Sequence, residues 1–458
     1  MPTHHFNLAS VAKENGTRAA RGYLAEQGVD LCAKYPVASA VAAGLASLTR
    51  DRELPLLGLD VEVDEDAGEL TIRPTGPLGR LMRKRTNRLT ERLRSFGPPC
   101  TVREGGFVYN LYQPPVPSGR MVNHLARQIM RRSPRTRPST CTLQVTARCQ
   151  LDCYHCSAAR FKNPARDELS LDEWREVIRQ SLELGIFNIV FTGGEPLLRP
   201  DLLELIAAVD RDQAQAMMFT NGLLLTPGKV AGLVEAGLYS LNVSLDDPRP
   251  EVHNQLRRAP QGFQQALVGV QNALEGGLLV GISTYAGPEA VREGRIEQTV
   301  ELAKGLGVHE VTIFDVVPTG KLLPLEEASL LSEQDKQHLC AFQAEYNQRP
   351  GCPHLVAQSF VNGPDGAGCF AAFSQFYLTA YGDMDPCDFT PLTFGNVRDE
   401  SLEAIWDRML EHPAYQQRCP HCRMQDQDFR RKYIDDIPEQ APLPWPACPE
   451  LRDRPHGP

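Results

Sequence analysis

Long apolar stretches are scarce in this sequence. The longest, Val37 to Leu48, is rich in alanine and falls well short of the roughly 20 residues a membrane-spanning helix requires. The opening residues, MPTHHFNLASVAKENG, show no basic start followed by an apolar core, so no secretory signal is expected. An overall basic charge is lacking too: the formal net charge is -9, which argues against a general nucleic-acid binder. These absences point to a cytoplasmic protein, and in that compartment its 13 cysteines suggest metal binding rather than disulfides. With 458 residues, 42% hydrophobic and 23% charged, two or three ordinary globular domains are expected.

What is present centres on CTLQVTARCQLDCYHCSAAR, residues 141–160. Cys149, Cys153 and Cys156 are spaced x3 then x2, too close for mutual disulfides but suited to hold three irons of a cubane, since thiolates are the usual ligands of [4Fe-4S] clusters. The fourth iron would be open to a small chelating ligand, as in catalytic metal sites. Zinc could use the same triplet on spacing alone. Leu143, Val145 and Ala147 alternate with Gln144 and Thr146, so a short strand should deliver the cysteines at its C-terminal end, where barrel enzymes keep their chemistry.

This C-x3-C-x2-C pattern, with His155 at the aromatic position, resembles the radical S-adenosylmethionine (SAM) superfamily. The resemblance implies a cluster whose open iron chelates SAM, whose reductive cleavage yields a 5'-deoxyadenosyl radical that abstracts hydrogen from an unactivated carbon. It also implies an electron donor such as flavodoxin or ferredoxin. GGEP, Gly193 to Pro196, follows the next apolar run and resembles the family loop that holds the SAM amino group, with Gly193, Gly194, Glu195 and Pro196 as candidates. Asn221 at the end of the third strand and Ser244 at the end of the fourth are further candidates. His253 to Arg257 resembles the family's H-D-x-I-R stretch, with Asn254 departing from the usual Asp. Ser244 and Arg257 are suited to donate to the SAM carboxylate; for both, a structural cap or ion pair is the competing reading. Pro318 to Gly320 is a weaker candidate for the adenine pocket.

From 139 to about 330 the sequence alternates short apolar runs with helical patterns, giving six β/α units. The expected fold is α/β, a partial (β/α)6 TIM barrel over 139–330. A small α+β N-terminal domain over 1–138 precedes it, with helical patterns at 17–27, 36–49, 78–96 and 120–132 and two hairpins. Between Arg73 and Arg137 there are 15 Lys or Arg against two Glu, so this acidic chain has a basic segment. Surface helices, a dock for anionic lipid that would make the protein peripheral at the membrane, and an acidic peptide leader are the open readings. Nucleic acid ranks last, since no RNA-binding aromatic motif is present.

After a connecting segment, 331–368, come Cys369, Cys387, Cys419 and Cys422, with Gly382 between the first two. C-x12-G-x4-C, then C-x2-C, with GNVRDESLEAIW between, resembles the SPASM and twitch modules of radical SAM enzymes. A module over 369–430 with one auxiliary [4Fe-4S] cluster is implied, because no C-x5-C-x3-C run follows Cys422. Four thiolates would equally suit zinc, and Cys352 or Cys448 could replace one of the four. A Pro-rich tail, 431–458, ends the sequence. The motifs leave the substrate open: a ribosomally made peptide is the first expectation, with a lipid or long-chain substrate, a haem-related or molybdenum cofactor, or a non-catalytic iron-sulfur or zinc protein as alternatives.

Overall fold

The computed structural model describes residues 3–7, 58–64, 69–75, 97–121 apart from 105, 117 and 119, and 136–451 apart from 164 and 365, with isolated helical positions at 83, 87 and 91. The helical patterns expected at 17–27 and 36–49, and most of those at 78–96 and 120–132, lie outside the described residues. The chain divides into two compact units, one of 1–109 with 115–132, the other of 110–114 with 133–458. In the first, β1 (Thr3–Asn7), β2 (Gly58–Asp64) and β3 (Glu69–Thr75) form an antiparallel sheet, and β4 (Thr101–Arg103) pairs with β5 (Gly106–Val108) in a tight hairpin.

In the second unit a nine-stranded sheet runs in the order β12-β11-β10-β9-β8-β7-β6-β13-β14. Its strands are β6 (Thr140–Gln144), β7 (Asn188–Thr192), β8 (Gln215–Thr220), β9 (Leu238–Ser244), β10 (Leu279–Ala286), β11 (Glu310–Asp315), β12 (His354–Ala357), β13 (Gln375–Leu378) and β14 (Met384–Asp385). All pairings are parallel except β13 with β14. The sheet therefore continues beyond the six units read from the sequence. One added strand falls in the segment read as a connection, and the other two fall in the cysteine module.

The six expected strands form because β-branched and large apolar residues fall on one face. Cys141, Leu143, Ile189, Phe191, Met218, Leu241, Val243, Ile282 and Ile313 are fully buried and enter the main core with the helices. Helix α1 (Leu171–Leu184) starts at a capping box, Ser170 with Glu173, and ends on Gly185 in the left-handed conformation. It buries Trp174, Val177, Ile178 and Leu182 on that face. The Cys141 thiol meets Ser181 of α1, so the opposite face, carrying Thr142, Asn188, Gln215, Ser240, Asn242, Glu310 and Thr312, lines the concave lumen.

The lumen is closed from two directions. At the N-terminal ends of the strands, Leu111 donates its N–H to Glu310 Oε2 at 2.7 Å, and Gln215 Nε2 donates to the Leu111 carbonyl at 2.9 Å. The Tyr112 hydroxyl lies 3.2 Å from Thr312 Oγ1 on the same inner face. The sheet itself does not close between β12 and β14. That side is covered by the chain after β14, where the Phe389 ring meets Phe314 edge-on at 6.2 Å and its carbonyl accepts from Thr319 Oγ1 at 2.8 Å.

Candidate active site

The loop that follows β6 holds Cys149, Cys153 and Cys156, and three other elements pin it. Leu256, near the end of α4 (Pro250–Arg257), accepts from Tyr154 N at 2.8 Å. Lys321 N donates to the Cys156 carbonyl at 3.1 Å, while its ammonium and the Arg258 guanidinium both pair with Asp152. Gly320 permits that approach: at φ +51 it has backbone carbonyls of Cys156 and Ser157 where a Cβ would stand, 2.2 and 2.3 Å away. The GGEP loop closes the other side, because a Cβ on Gly194 would lie 2.4 Å from the Arg148 carbonyl oxygen and 2.8 Å from Cys149 Cβ. Gly194 N and Glu195 N then bond to the carbonyls of Thr146 and Arg148, 2.8 Å each.

Glu195 is fully buried and accepts from Leu197 N, Thr220 Oγ1 and Asn221 N at 3.1, 2.8 and 2.9 Å. Burial raises its carboxyl, and those three donors oppose the rise. Pro196 begins the short 3-10 turn behind it. Asn221 accepts from Gln150 of the cysteine loop at 3.2 Å, and its buried Nδ2 has no hydrogen-bond partner. Ser244 and Ser283 place their hydroxyls 3.4 Å apart on adjacent strand ends.

Arg257 is not an unpaired cation. It donates to both oxygens of Asp246, at 2.7 and 2.9 Å, and Asp246 also lies 3.3 Å from His155 Nε2. Burial alone would raise Asp246, but Arg257 and His155 hold it well below the usual carboxylate range. His155 stacks on Tyr285 at 4.8 Å, and burial lowers its pKa against the opposing pull of Asp246. The departure at Asn254 has a local use: its side chain donates to the Pro260 carbonyl and accepts from Phe263 N, tying α4 to the next helix.

The three loop cysteines lie close enough to influence one another electrostatically, and Cys153 also feels Arg257 and Asp246. Burial pushes Cys153 up to about 11, a cost that bound iron removes by favouring the thiolate. The second set converges in the same way. Cys369 N donates to the Cys419 carbonyl at 2.9 Å, Cys422 and Cys387 are electrostatic neighbours of Cys369, and burial raises all three of these thiols. Cys352 lies against Tyr346, and Cys448 beside Arg408 and Glu450. Among the described residues no three His, Cys, Asp or Glu side chains converge on a single metal ion. A cubane takes one thiolate per iron, so its ligands stand apart around the cluster. The donor chemistry, the glycine cradle and the orphaned Asn221 Nδ2 therefore fit a cluster with a polar chelator beside it.

Residues 143–303 match the family described as the radical SAM superfamily, and 369–431 match SPASM, an iron-sulfur cluster-binding domain. The chain thus carries a radical SAM domain and a SPASM iron-sulfur domain. Its cofactors are accordingly a [4Fe-4S] cluster, SAM and an auxiliary iron-sulfur centre, and it is an enzyme. It is 27% identical over 338 residues to the AdoMet-dependent heme synthase of Methanosarcina barkeri (strain Fusaro / DSM 804), covering 66% of this chain and 95% of that one. To the PqqA peptide cyclase of Rhizobium meliloti (strain 1021) it is 25% identical over 308 residues, covering 64% of this chain and 81% of that one. The fold resembles the crystal structure of Streptococcus suis SuiB bound to precursor peptide SuiA, with a TM-score of 0.52 and 14% identity, over 79% of this chain and 87% of that one. Among the described residues no helix is long and apolar enough to cross a membrane.

Motif reading missed the groups that line the lumen below this mouth. Tyr377 sits opposite Asp385 across β13 and β14, and both are buried. Asp388, next to Cys387, is raised to about 6 by burial and is close enough to Tyr377 and Tyr112 to raise both phenols. Tyr112 and Glu310 belong to no motif; the one available signal was Asp388, adjoining a cysteine already singled out.

Proposed function

We propose that this radical SAM enzyme modifies a ribosomally made peptide, with Cys149, Cys153 and Cys156 holding the SAM-binding cluster and Cys369, Cys387, Cys419 and Cys422 the auxiliary one. The observation that carries the peptide reading is the charge of the lumen. Its described strand positions carry no Lys or Arg, while Glu310, Asp385 and Asp388 supply carboxyl groups. A tetrapyrrole rich in carboxylates would find no fixed cation on those strands and would sit among buried carboxyls. A neutral or basic side chain meets no such penalty. The likeness to a peptide cyclase supports the same choice.

When bound, the cluster and SAM supply the deoxyadenosyl radical. The chain's own groups do the rest. Glu195 and Asn221 Nδ2 would hold the polar end of SAM, Gly193, Gly194 and Pro196 would shape the loop that admits it, and Ser244 would donate to its carboxylate. Arg257 acts mainly through Asp246, which in turn orients His155 against Tyr285. Leu111 and Tyr112 seal the lumen floor and Phe389 its open side, excluding water from a reactive intermediate. Asp388 adds a buried carboxyl near Tyr377 and Tyr112.

A haem-related substrate is the second reading, favoured by the match to the Methanosarcina barkeri heme synthase, which covers 95% of that chain. Anaerobic assays of the reconstituted protein separate the two. Peptides encoded near its gene should raise 5'-deoxyadenosine above the substrate-free rate and change in mass. If carboxylated tetrapyrroles alone do so, the peptide reading is wrong.

A further inference from the structure

Asp385 is the most unusual group in the lumen. It is fully buried, yet neither carboxylate oxygen has a hydrogen-bond partner. Its register opposite Tyr377 turns it toward the interior, since Tyr377 pairs with Thr142 on the concave face. The nearest charged neighbour on its own segment, Asp383, is engaged by Arg166 at 2.8 and 3.2 Å and by Asn396 Nδ2 at 2.9 Å, so that pair offers Asp385 nothing. A buried carboxyl left without donors is strongly disfavoured in its charged form, and such groups are found paired or ligated. A second orphan shares the lumen. Asn242, on the concave face of β9, is fully buried with both Oδ1 and Nδ2 unpartnered, and its Oδ1 would lie 2.0 Å from a Cβ on Gly281, so the lack of a side chain there makes its room. Asn188 Nδ2, Gln215 Oε1 and Ser240 Oγ on the same face are also unpartnered, and this set of orphaned polar groups points to a polar guest.

We propose that Asp385 anchors a cationic group of the substrate, an alkylammonium or guanidinium such as a lysine or arginine side chain carries, with Asn242 supplying further hydrogen bonds to the same guest. The subsite rests on the peptide reading of the lumen and narrows it to a basic residue at or next to the position attacked. A guanidinium would meet both oxygens of Asp385 as a bidentate pair, which is the arrangement that best repays desolvation. Asp385 is a specificity group here, distinct from Asp388 three residues on.

The test uses the full-length, anaerobically reconstituted protein and three small probes: n-butylguanidinium, its neutral isostere n-butylurea and the anion n-butyrate. Binding is measured by calorimetry at millimolar concentrations for wild type, Asp385→Asn and Asp385→Glu. Iron content and the spectra of both clusters are checked in each variant. Wild type should prefer n-butylguanidinium to n-butylurea at least about tenfold and reject n-butyrate. The preference should vanish in Asp385→Asn and return in part in Asp385→Glu. Equal binding of the guanidinium and the urea by wild type, no binding of the guanidinium, or a preference unchanged in Asp385→Asn would each overturn the subsite. A variant that alters only the auxiliary cluster's spectrum would overturn it too, assigning Asp385 to that cluster's surroundings. The probes contain no peptide bond to be modified, so this outcome is independent of whether peptides or tetrapyrroles are turned over.

Discussion

At the scale of single residues, the two cysteine sets make separable claims. Cys149 lies in the loop between β6 and α1, and Cys419 is tied by its carbonyl to Cys369 in the C-terminal part of the chain. If each set holds its own cubane, Cys149→Ala and Cys419→Ala should each lose about four irons of the total, and the double variant about eight. Iron and sulfide analysis of anaerobically purified protein reads this directly, and loss of all iron from either single variant would mean that the sets are not independent. Glu310 gives a prediction of a different kind. Burial raises its carboxyl from 4.5 to about 7, with Leu111 N and Thr312 opposing. Between those values the unfolded chain has released the proton and the folded chain still binds it, so stability falls as pH rises through the window and then levels off. The effect amounts to at most about 3 kcal/mol. Glu310→Gln keeps an acceptor for Leu111 N and removes the titration. Its urea midpoint should therefore drop less than that of wild type between about pH 5 and pH 8.

At the scale of elements, the sequence was informative where side chains repeat or where a motif fixes a turn. Phe187 to Thr192, Ala216 to Thr220 and Tyr239 to Leu245 are short runs rich in apolar residues, and their strands lie there. β12 and β13 are four residues each, HLVA and QFYL, too short to show a period, and they add to the sheet only because β11 and β6 offer edges far away in sequence. The lumen floor was equally illegible, since Asn110–Pro114 acquires its meaning from Glu310 and Gln215, about 200 and 100 residues later. In the site, the cysteines and GGEP were readable because their spacing is local. The engagement of Arg257 by Asp246 was not, because a motif names a residue without naming its partner. The glycine cradle offers a test at this scale. Gly194→Ala puts a methyl into the Arg148 carbonyl and Cys149, two backbone-anchored neighbours that cannot swing aside. The cysteine loop must shift, so about four irons should be lost and SAM binding weakened while the auxiliary cluster's spectrum persists. Retention of both clusters and of SAM affinity would show that the GGEP loop does not set the loop's position.

Across the whole molecule, the cysteine module is part of the barrel's own construction. β13 extends the parallel sheet beyond β6, burying Phe376 and Leu378 completely. Helix α10 (Leu402–Glu411) carries Trp406, also fully buried, whose ring meets Phe376 at 6.3 Å and whose indole N–H donates to the Thr136 carbonyl at 3.0 Å, just ahead of β6. Arg398 reaches back to Glu173 in the first turn of α1, and Leu402 N donates to Gln180 of the same helix at 2.9 Å. A chain ending at residue 368 would thus lose two strands from one edge of the sheet and the Trp cover, and removing a single buried aromatic already costs about 3–5 kcal/mol. Domain stabilities are typically about 5–15 kcal/mol. The truncated chain should accordingly fail to fold and bind no iron at Cys149, Cys153 and Cys156, although it keeps all three. Circular dichroism and iron analysis of the truncated protein, beside full-length Cys369→Ala, separate this from simple loss of a cluster. The point variant keeps β13 and Trp406, so it should retain its helical signal and the SAM-binding cluster. A folded, iron-loaded truncation would mean that the barrel stands without the module, and that the auxiliary centre is an attachment rather than one of its walls.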